Sequence, residues 1–423
     1  MRNEQTTGTG LVGWQATGLA LAAASMAARQ GLGTLVGAAI VAPIVYALVR
    51  LRRHAPEAAS TADLVGSTLG PRGATFAGTL QVTGYVLVAV TAAQLFGLAW
   101  TPLSASDDPF GPVHTNDWLW SLWAVAAIVG AAVLVFAVPG RILAGLAAVL
   151  ALGGLLVQFY YGLAVIARGL TGTVSDPNVG AAVAAQVNGL ASAGMLAVAA
   201  VTLAGFEVVT TRTRRASTNG WPMSLAIAFV ALVAVVGWWA CQFSGYGEGS
   251  VDGASFGMVV DDVYGGTGVQ VVGVGTAMFA FAALLALLWG VGAVIDGLDV
   301  RAPSDAIFGG VVLAMVLLSI ALIHGGWTLG YVGGLVLFAL YAVVLVASAR
   351  ISADSVVTWW LRIVMPVVLV ALVLLPLAWA EFSPGSLAPV VIAALLIAAA
   401  GAVAVVVAGA VAVAVAGTRS RAD

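Results

Sequence analysis

Residues 187–211 read VNGLASAGMLAVAAVTLAGFEVVTT, an apolar run long enough to cross a membrane that carries one acid, Glu207, near its end. No other apolar run of the chain carries a charged residue away from its ends. A charge in hydrocarbon costs about 2.5–3.5 kcal/mol on insertion scales, so an intramembrane acid is a functional-site hypothesis by default. Gly205 weakens the helix just before this acid. The run therefore predicts a membrane-spanning segment with a functional carboxylate.

The composition places the whole chain in the membrane. Of its 423 residues, 61% are hydrophobic and 8% are charged, whereas soluble domains carry about 25% charged residues. All sixteen basic residues are Arg. One Cys and three scattered His give no metal-ligand spacing, so neither a metal nor a redox cofactor is expected. We predict an all-α polytopic membrane protein whose partners are the lipid bilayer and a small-molecule solute, with no nucleic acid.

A spanning helix needs roughly 20 apolar residues, and this window divides the chain into twelve predicted spans. They cover residues 11–28, 31–49, 74–100, 118–138, 142–167, 187–211, 221–243, 269–295, 306–323, 326–349, 359–380 and 387–416. The connections are short, and the inner one near 50–73 is among the longest. In the connection near 244–268, Phe256 to Tyr264 alternates apolar and polar residues at helical spacing, which predicts a short helix on the outer surface.

The distribution of Arg gives the orientation. With twelve spans and a cytoplasmic N-terminus, fourteen Arg lie inside and two outside, a strong positive-inside asymmetry. The inner set is Arg2, Arg50, Arg52, Arg53, Arg72, Arg141, Arg212, Arg214, Arg215, Arg301, Arg350, Arg362, Arg419 and Arg421, and the outer pair is Arg29 and Arg168. Both termini are therefore predicted to be cytoplasmic in a multi-pass protein of the cell (plasma) membrane.

Several short motifs resemble one known family of permeases. After the second span the chain has Ala55-Pro56-Glu57-Ala58-Ala59-Ser60, then Leu69-Gly70-Pro71-Arg72-Gly73, Phe76-Ala77-Gly78 and Gly84-Tyr85-Val86. The sixth span has Gly205-Phe206-Glu207, and the eighth ends in Val294-Ile295-Asp296-Gly297 with Pro303 beyond it. This pattern resembles the amino acid, polyamine and organocation (APC) permease superfamily.

The resemblance implies a LeuT-like 5+5 inverted repeat with two C-terminal helices appended. The division would be 1–10 for the N-terminus, 11–186 for repeat 1, 187–349 for repeat 2, 350–416 for helices 11 and 12, and 417–423 for the C-terminus. Spans 1 and 6 would be broken at mid-membrane, where free backbone groups meet the solute. Non-helical backbone at that depth survives only where it lines protein or water. The expected breaks lie around Thr17-Gly18 and around Leu203 to Gly205. Because Gly18 stands alone where the family has Gly-x-Gly, span 1 is expected to be less unwound than usual.

The candidate site residues follow from these breaks. The predicted solute-binding set is Thr17, Gly18, Gln81, Tyr85, Thr202 and Gly205. Glu207 is the only interior acid, and it is therefore the predicted proton-coupling residue. No residue is predicted to be catalytic or to bind metal.

Each candidate also has a structural alternative. Glu207 lies near the inner end of its span, where it could pair with Arg214 or Arg215. Gly18 and Gly205 could serve close helix packing. Gln81, Tyr85 and Thr202 could make hydrogen bonds between helices.

Three functional classes remain open on the sequence. The first is a secondary active transporter, a symporter or antiporter of amino acids, polyamines or related small organic solutes, with proton coupling. The second is an intramembrane enzyme, which would need paired acids or His that a single Glu207 does not provide. The third is a transport-fold sensor or scaffold that moves no solute. Without Lys, the chain has no Walker-type phosphate loop, so ATP-driven pumping by this chain is excluded.

Overall fold

The computed structural model is built from nine α-helices and two 3₁₀ segments over the residues it describes. Those residues are 11, 13–29, 31–104, 117–171, 203–210, 220–242, 253–297, 303–322, 326–351 and 359. The helices are α1 Gly13–Ala24, α2 Gly33–His54, α3 Thr61–Ser104, α4 Asp117–Ala137, α5 Gly140–Leu170, α6 Trp221–Gln242, α7 Gly253–Gly297, α8 Ser304–Ala321 and α9 Gly326–Ile351. The 3₁₀ segments are Ser25–Arg29 and Phe206–Thr210.

Eight of the helices in the described part of the chain, α2 to α9, are long and apolar enough to cross a membrane. They match eight of the twelve predicted spans. The first predicted span corresponds to α1 and the 3₁₀ segment Ser25–Arg29. Residues 187–202 and nearly all of 359–416 lie outside the described residues, so the count of twelve stays a prediction.

Helices α3 and α7 form the centre of the bundle, and α4 and α8 lie at its edge. In the apolar stretch of α7, 83% of the residues are buried inside the bundle, whereas in that of α8 only 17% are buried. Helix α3 packs against both α7 and α9, and α5 packs against α7. The α5–α7 approach depends on glycine, because a Cβ on Gly154 would lie 2.3 Å from the Gly275 carbonyl oxygen. Small residues therefore allow the close helix packing that membrane bundles require.

The two central helices share one backbone feature. Helix α3 is interrupted at Gly70 (φ 78°, ψ −175°), and α7 is interrupted at Gly265 (φ 69°, ψ −173°). In each case a short helical arm precedes the glycine and a long helix follows it. Such a positive φ favours glycine because it has no Cβ. The matched interruptions are what a repeat would produce, and the repeat itself stays a prediction.

The arms differ in part from the sequence expectation. The inner connection near 50–73 was expected to be a loop, yet residues 61–69 are helical and continue into α3 after the interruption at Gly70. The short helix expected at Phe256–Tyr264 is present as the arm of α7. Its Val259 and Val260 are buried against Val165 of α5, so apolar burial holds this arm on the bundle.

Candidate functional site

The backbone around Glu207 is not α-helical. Residues 203–205 form a turn, and Phe206–Thr210 continue as a 3₁₀ segment whose residues are all buried. Gly205 has φ +110°, a conformation that residues with a Cβ rarely adopt. The backbone is therefore not α-helical where the sequence predicts a break, and the helix that it would interrupt lies outside the described residues.

The Glu207 carboxylate is fully buried and is held by two donors. The Gly205 N–H donates to Glu207 Oε2 over 3.0 Å, and the Tyr341 hydroxyl of α9 donates to the same oxygen. The Gly205 N–H also lies 2.9 Å from the Tyr341 hydroxyl oxygen. The other carboxylate oxygen, Oε1, has no hydrogen bond of regular geometry among the described residues. One oxygen of Glu207 is thus tied to Gly205 and to α9.

A second chain of polar groups runs from Glu207 to α3. The Thr210 hydroxyl donates to the Glu207 carbonyl oxygen over 2.8 Å, and it lies 2.8 Å from the Thr61 hydroxyl. Gln81 Nε2 donates to the hydroxyl of Tyr85 over 3.0 Å and to that of Thr61 over 3.4 Å. The Tyr85 phenol also interacts with the Glu207 carboxyl group. We call these residues and Tyr341 together the Glu207 cluster.

Every side chain of the Glu207 cluster is buried. Thr61, Gln81, Tyr85, Glu207 and Tyr341 are each 0% exposed. An unpaired polar group at this depth costs free energy, so the hydrogen bonds within the cluster favour this arrangement. The cluster joins α3, the 3₁₀ segment and α9, so movement of any one of these elements changes the partners of Glu207.

Glycine on α7 makes room for this cluster. A Cβ on Gly290 would lie 2.6 Å from Tyr85 Cε2 and 2.7 Å from Val208 Cγ2. Gly290 is inside regular helix, so its role is space and not backbone conformation. Any larger residue here would push Tyr85 away from the carboxylate.

The sequence prediction of a break around Thr17-Gly18 is wrong. Helix α1 is continuous from Gly13 to Ala24, and the Thr17 hydroxyl donates to the Gly13 carbonyl in the preceding turn. A Cβ on Gly18 would lie 2.0 Å from Ala148 Cβ. Gly18 therefore serves close packing of α1 on α5, the alternative reading of this glycine, and an Ala-rich sequence keeps the helix wound.

The change from α to 3₁₀ geometry in this part of the chain occurs instead at Ser25. The Ser25 hydroxyl lies 2.7 Å from the Ala22 carbonyl oxygen and 3.2 Å from that of Phe279 on α7. This end of α1 faces the other break, because a Cβ on Gly205 would lie 3.7 Å from Ala23 Cβ and 3.1 Å from Leu287 Cδ2. The end of α1 and residues 203–205 are thus neighbours.

The remaining predicted residues have mixed outcomes. Gln81, Tyr85 and Gly205 are brought together with Glu207, whereas Gly18 belongs to the α1–α5 contact and Thr17 bonds within its own helix. Thr202, Arg214 and Arg215 lie outside the described residues, so the proposed Arg pairing of Glu207 stays a hypothesis. Among described residues, no group of three His, Cys, Asp or Glu could hold a metal ion.

Sequence reasoning missed Tyr341, Thr61, Thr210 and Gly290. Tyr341 could have been selected from the sequence, because its hydroxyl lies in the middle of the apolar stretch Val336 to Val344. The other three carried none, since Thr and Gly are frequent throughout the chain.

No protein-family model and no curated protein matches this sequence. Solved structures do match it along most of its length. MhsT in complex with L-phenylalanine is similar with a TM-score of 0.59 at 14% identity, over 86% of this chain and 98% of that one. The Eremococcus coleocola manganese transporter, in complex with an aromatic bis-isothiourea substituted compound, is similar with a TM-score of 0.55 at 12% identity, over 93% of both chains.

The chain has the LeuT fold. Both neighbours are transporters of this fold, and an identity this low shows the architecture alone. In the LeuT fold, discontinuous helices place free backbone groups near the bilayer midplane.

Proposed function

We propose that this protein is a secondary active transporter of amino acids, polyamines or related small organic solutes that works by alternating access. One observation carries the proposal: a buried carboxylate lies on a 3₁₀ segment that packs against the end of α1 in a LeuT fold. Irregular backbone at membrane depth is tolerated where it lines a cavity. The neighbour solved with L-phenylalanine supports an organic solute, and the motifs quoted above favour the APC superfamily.

The proposed solute site lies between the two breaks. Its backbone walls are Ala23 to Ser25 at the end of α1 and Leu203 to Gly205 before the 3₁₀ segment. Tyr85 and Gln81 of the Glu207 cluster adjoin the second break. This placement moves the α1 side of the site by about two turns from the predicted Thr17-Gly18, because the backbone there is fully hydrogen-bonded.

We further propose that Glu207 couples solute movement to a proton. It is fully buried, and one of its oxygens accepts hydrogen bonds both from the Gly205 N–H and from Tyr341 of α9. Protonation removes the charge whose burial is costly in lipid. Loading and releasing a proton would therefore change how firmly the break is held against α9.

The test uses purified protein reconstituted in proteoliposomes with a panel of labelled amino acids and amines. Glu207→Gln mimics the protonated state permanently. It is expected to exchange solute across the membrane, which needs no net proton movement, and to lose concentrative uptake. The matched control is Glu57→Gln, the same change at an exposed acid outside the cluster, and it should retain both activities.

Two outcomes would contradict the proposal. Concentrative uptake by Glu207→Gln that still rises as external pH falls would remove the coupling role. Solute binding by the wild type without any exchange or uptake would replace transport with the sensor or scaffold function.

A further inference from the structure

A second candidate site lies at the basic end of α2, away from the Glu207 cluster. It is a cavity of about 650 Å³ between α2, the first turn of α6 and the last residue of α9. This volume falls within the roughly 300–1,000 Å³ typical of small-molecule sites. None of the described residues that line it belongs to the Glu207 cluster, so it requires its own explanation.

The wall that α2 contributes changes character along its length. Ala42, Val45 and Val49 make its apolar part, and Arg50 and Arg53 make the basic part together with His54. The distance from Ala42 to Arg53 along the helix is about 16 Å at 1.5 Å per residue. The cavity is therefore apolar at one end and cationic at the other, as a site for an amphipathic anion would be.

Helix α6 adds a second source of positive potential. It begins at Trp221 beside the cavity, and Gly220 and Ser224 line the wall there. Gly220 has φ +66°, and a Cβ on it would lie 2.7 Å from Val49 Cγ2, so glycine lets the start of α6 close on α2. The first N–H groups of a helix attract anions; in α6, Pro222 has no N–H and the Ser224 N–H donates to the Gly220 carbonyl, which leaves the N–H groups of Trp221 and Met223 for this role.

Charge and exposure indicate what the cavity takes. The described lining residues include neither Asp nor Glu. The Arg50 guanidinium lies over the Tyr46 ring at 5.7 Å, and Tyr46 is 47% exposed at the bundle surface. Trp221, 67% exposed, marks the level of the membrane interface. An anion with an apolar tail fits both ends, whereas a free phosphate ion uses only one.

We propose that this cavity binds an anionic phospholipid, with its phosphate at Arg50, Arg53 and the start of α6 and an acyl chain along Ala42 and Val45. The predicted cytoplasmic position of this Arg cluster agrees with the anionic character of the inner leaflet. Basic pockets between membrane helices are suited to such headgroups.

The test measures lipid binding to the purified full-length protein in detergent by native mass spectrometry and by thermal unfolding. The probes are phosphatidylglycerol, phosphatidylcholine, sn-glycerol 3-phosphate and inorganic phosphate. Phosphatidylglycerol should bind and raise the unfolding temperature, and the others should do so at least tenfold more weakly. Arg50→Gln/Arg53→Gln should weaken phosphatidylglycerol binding by about 30-fold, which corresponds to about 2 kcal/mol.

Two further variants separate the possible outcomes. Arg72→Gln/Arg141→Gln removes two exposed Arg from the same predicted side of the membrane but not from the cavity, and its affinity should stay within threefold of wild type. Ala42→Trp fills the apolar wall at an exposed position and should weaken phosphatidylglycerol binding. Equal loss in both double variants would mean general surface charge and would overturn the site. Equal affinity for glycerol phosphate or inorganic phosphate would assign a free anion and overturn the lipid.

Discussion

At the scale of single residues, the open question is how a carboxylate is kept inside the bundle. Glu207 depends on the N–H of Gly205 and on the hydroxyl of Tyr341, which both donate to its Oε2. Hydrogen bonds to a charged group contribute about 1.5–3 kcal/mol, more than neutral ones. Removing the Tyr341 hydroxyl is therefore expected to lower the stability of the folded protein.

We predict that Tyr341→Phe destabilises the protein by about 1–3 kcal/mol, because it removes the hydroxyl that donates to Glu207 Oε2. Thermal unfolding in detergent measures the effect. Tyr160→Phe is the matched control, since Tyr160 is 64% exposed. Equal unfolding temperatures for the two variants would show that Tyr341 does not stabilise the buried acid.

At the scale of helices, the two helix breaks have different causes. Residues 203–205 depart from helix at a glycine with positive φ, whereas α1 changes to 3₁₀ geometry at Ser25 without any glycine at the transition. There the Ser25 hydroxyl bonds carbonyl oxygens of its own helix and of α7. The departure at 203–205 thus depends on the positive φ that glycine allows. The change at Ser25 occurs where a side-chain hydroxyl competes for backbone carbonyl groups.

Gly205→Ala is expected to cost about 1–3 kcal/mol, because alanine is strained at φ +110°. Its Cβ would also lie 3.1 Å from Leu287 Cδ2. Solute affinity should fall with it, and Gly205→Leu should abolish binding in a folded protein. The control is Gly130→Ala in α4, where a Cβ meets nothing within 4 Å. Full affinity in Gly205→Leu would place the solute site elsewhere.

Gly18 allows a test of packing against function. Gly18→Ala should destabilise the bundle by about 1–3 kcal/mol, because its Cβ would overlap Ala148 Cβ. Adding Ala148→Gly should restore most of the lost stability, since it vacates the same space. Unfolding temperatures and solute affinities of both single variants and the double variant measure this coupling. If Gly18→Ala loses affinity but not stability, then Gly18 contacts solute after all.

At the scale of the whole molecule, the charge pattern and the arm positions imply a fixed orientation. The Arg-rich end of α2, with Arg50, Arg52 and Arg53, adjoins the arm of α3, while the arm of α7 packs on the ends of α5 and α6. Arg168 at the end of α5 contacts this second arm, lying over the Tyr264 ring at 4.2 Å. The arms should therefore lie on opposite sides of the membrane.

Cysteine labelling tests this orientation. In a Cys241→Ala background, cysteines introduced at Ser217 and Ser250 should react with an impermeant reagent from opposite sides, Ser217 from the cytoplasm and Ser250 from outside. The expectation rests on the fourteen-to-two Arg asymmetry. The wild-type protein, whose single cysteine Cys241 is buried, serves as the unreactive control. Labelling of both positions from one side would overturn the predicted topology.

From the sequence we could predict the class of protein and eight spans among the described residues, and the sequence singled out Gly205 and Glu207 as candidates. These depend on local properties: apolar length, the absence of a Cβ at Gly205 and a charge in a hydrophobic run. Tertiary structure alone decided that Gly18 packs on Ala148, that α1 changes to 3₁₀ geometry at Ser25 and that Tyr341 binds Glu207. Glu207 and Tyr341 are 134 positions apart, and no local pattern records which helices the fold brings into contact.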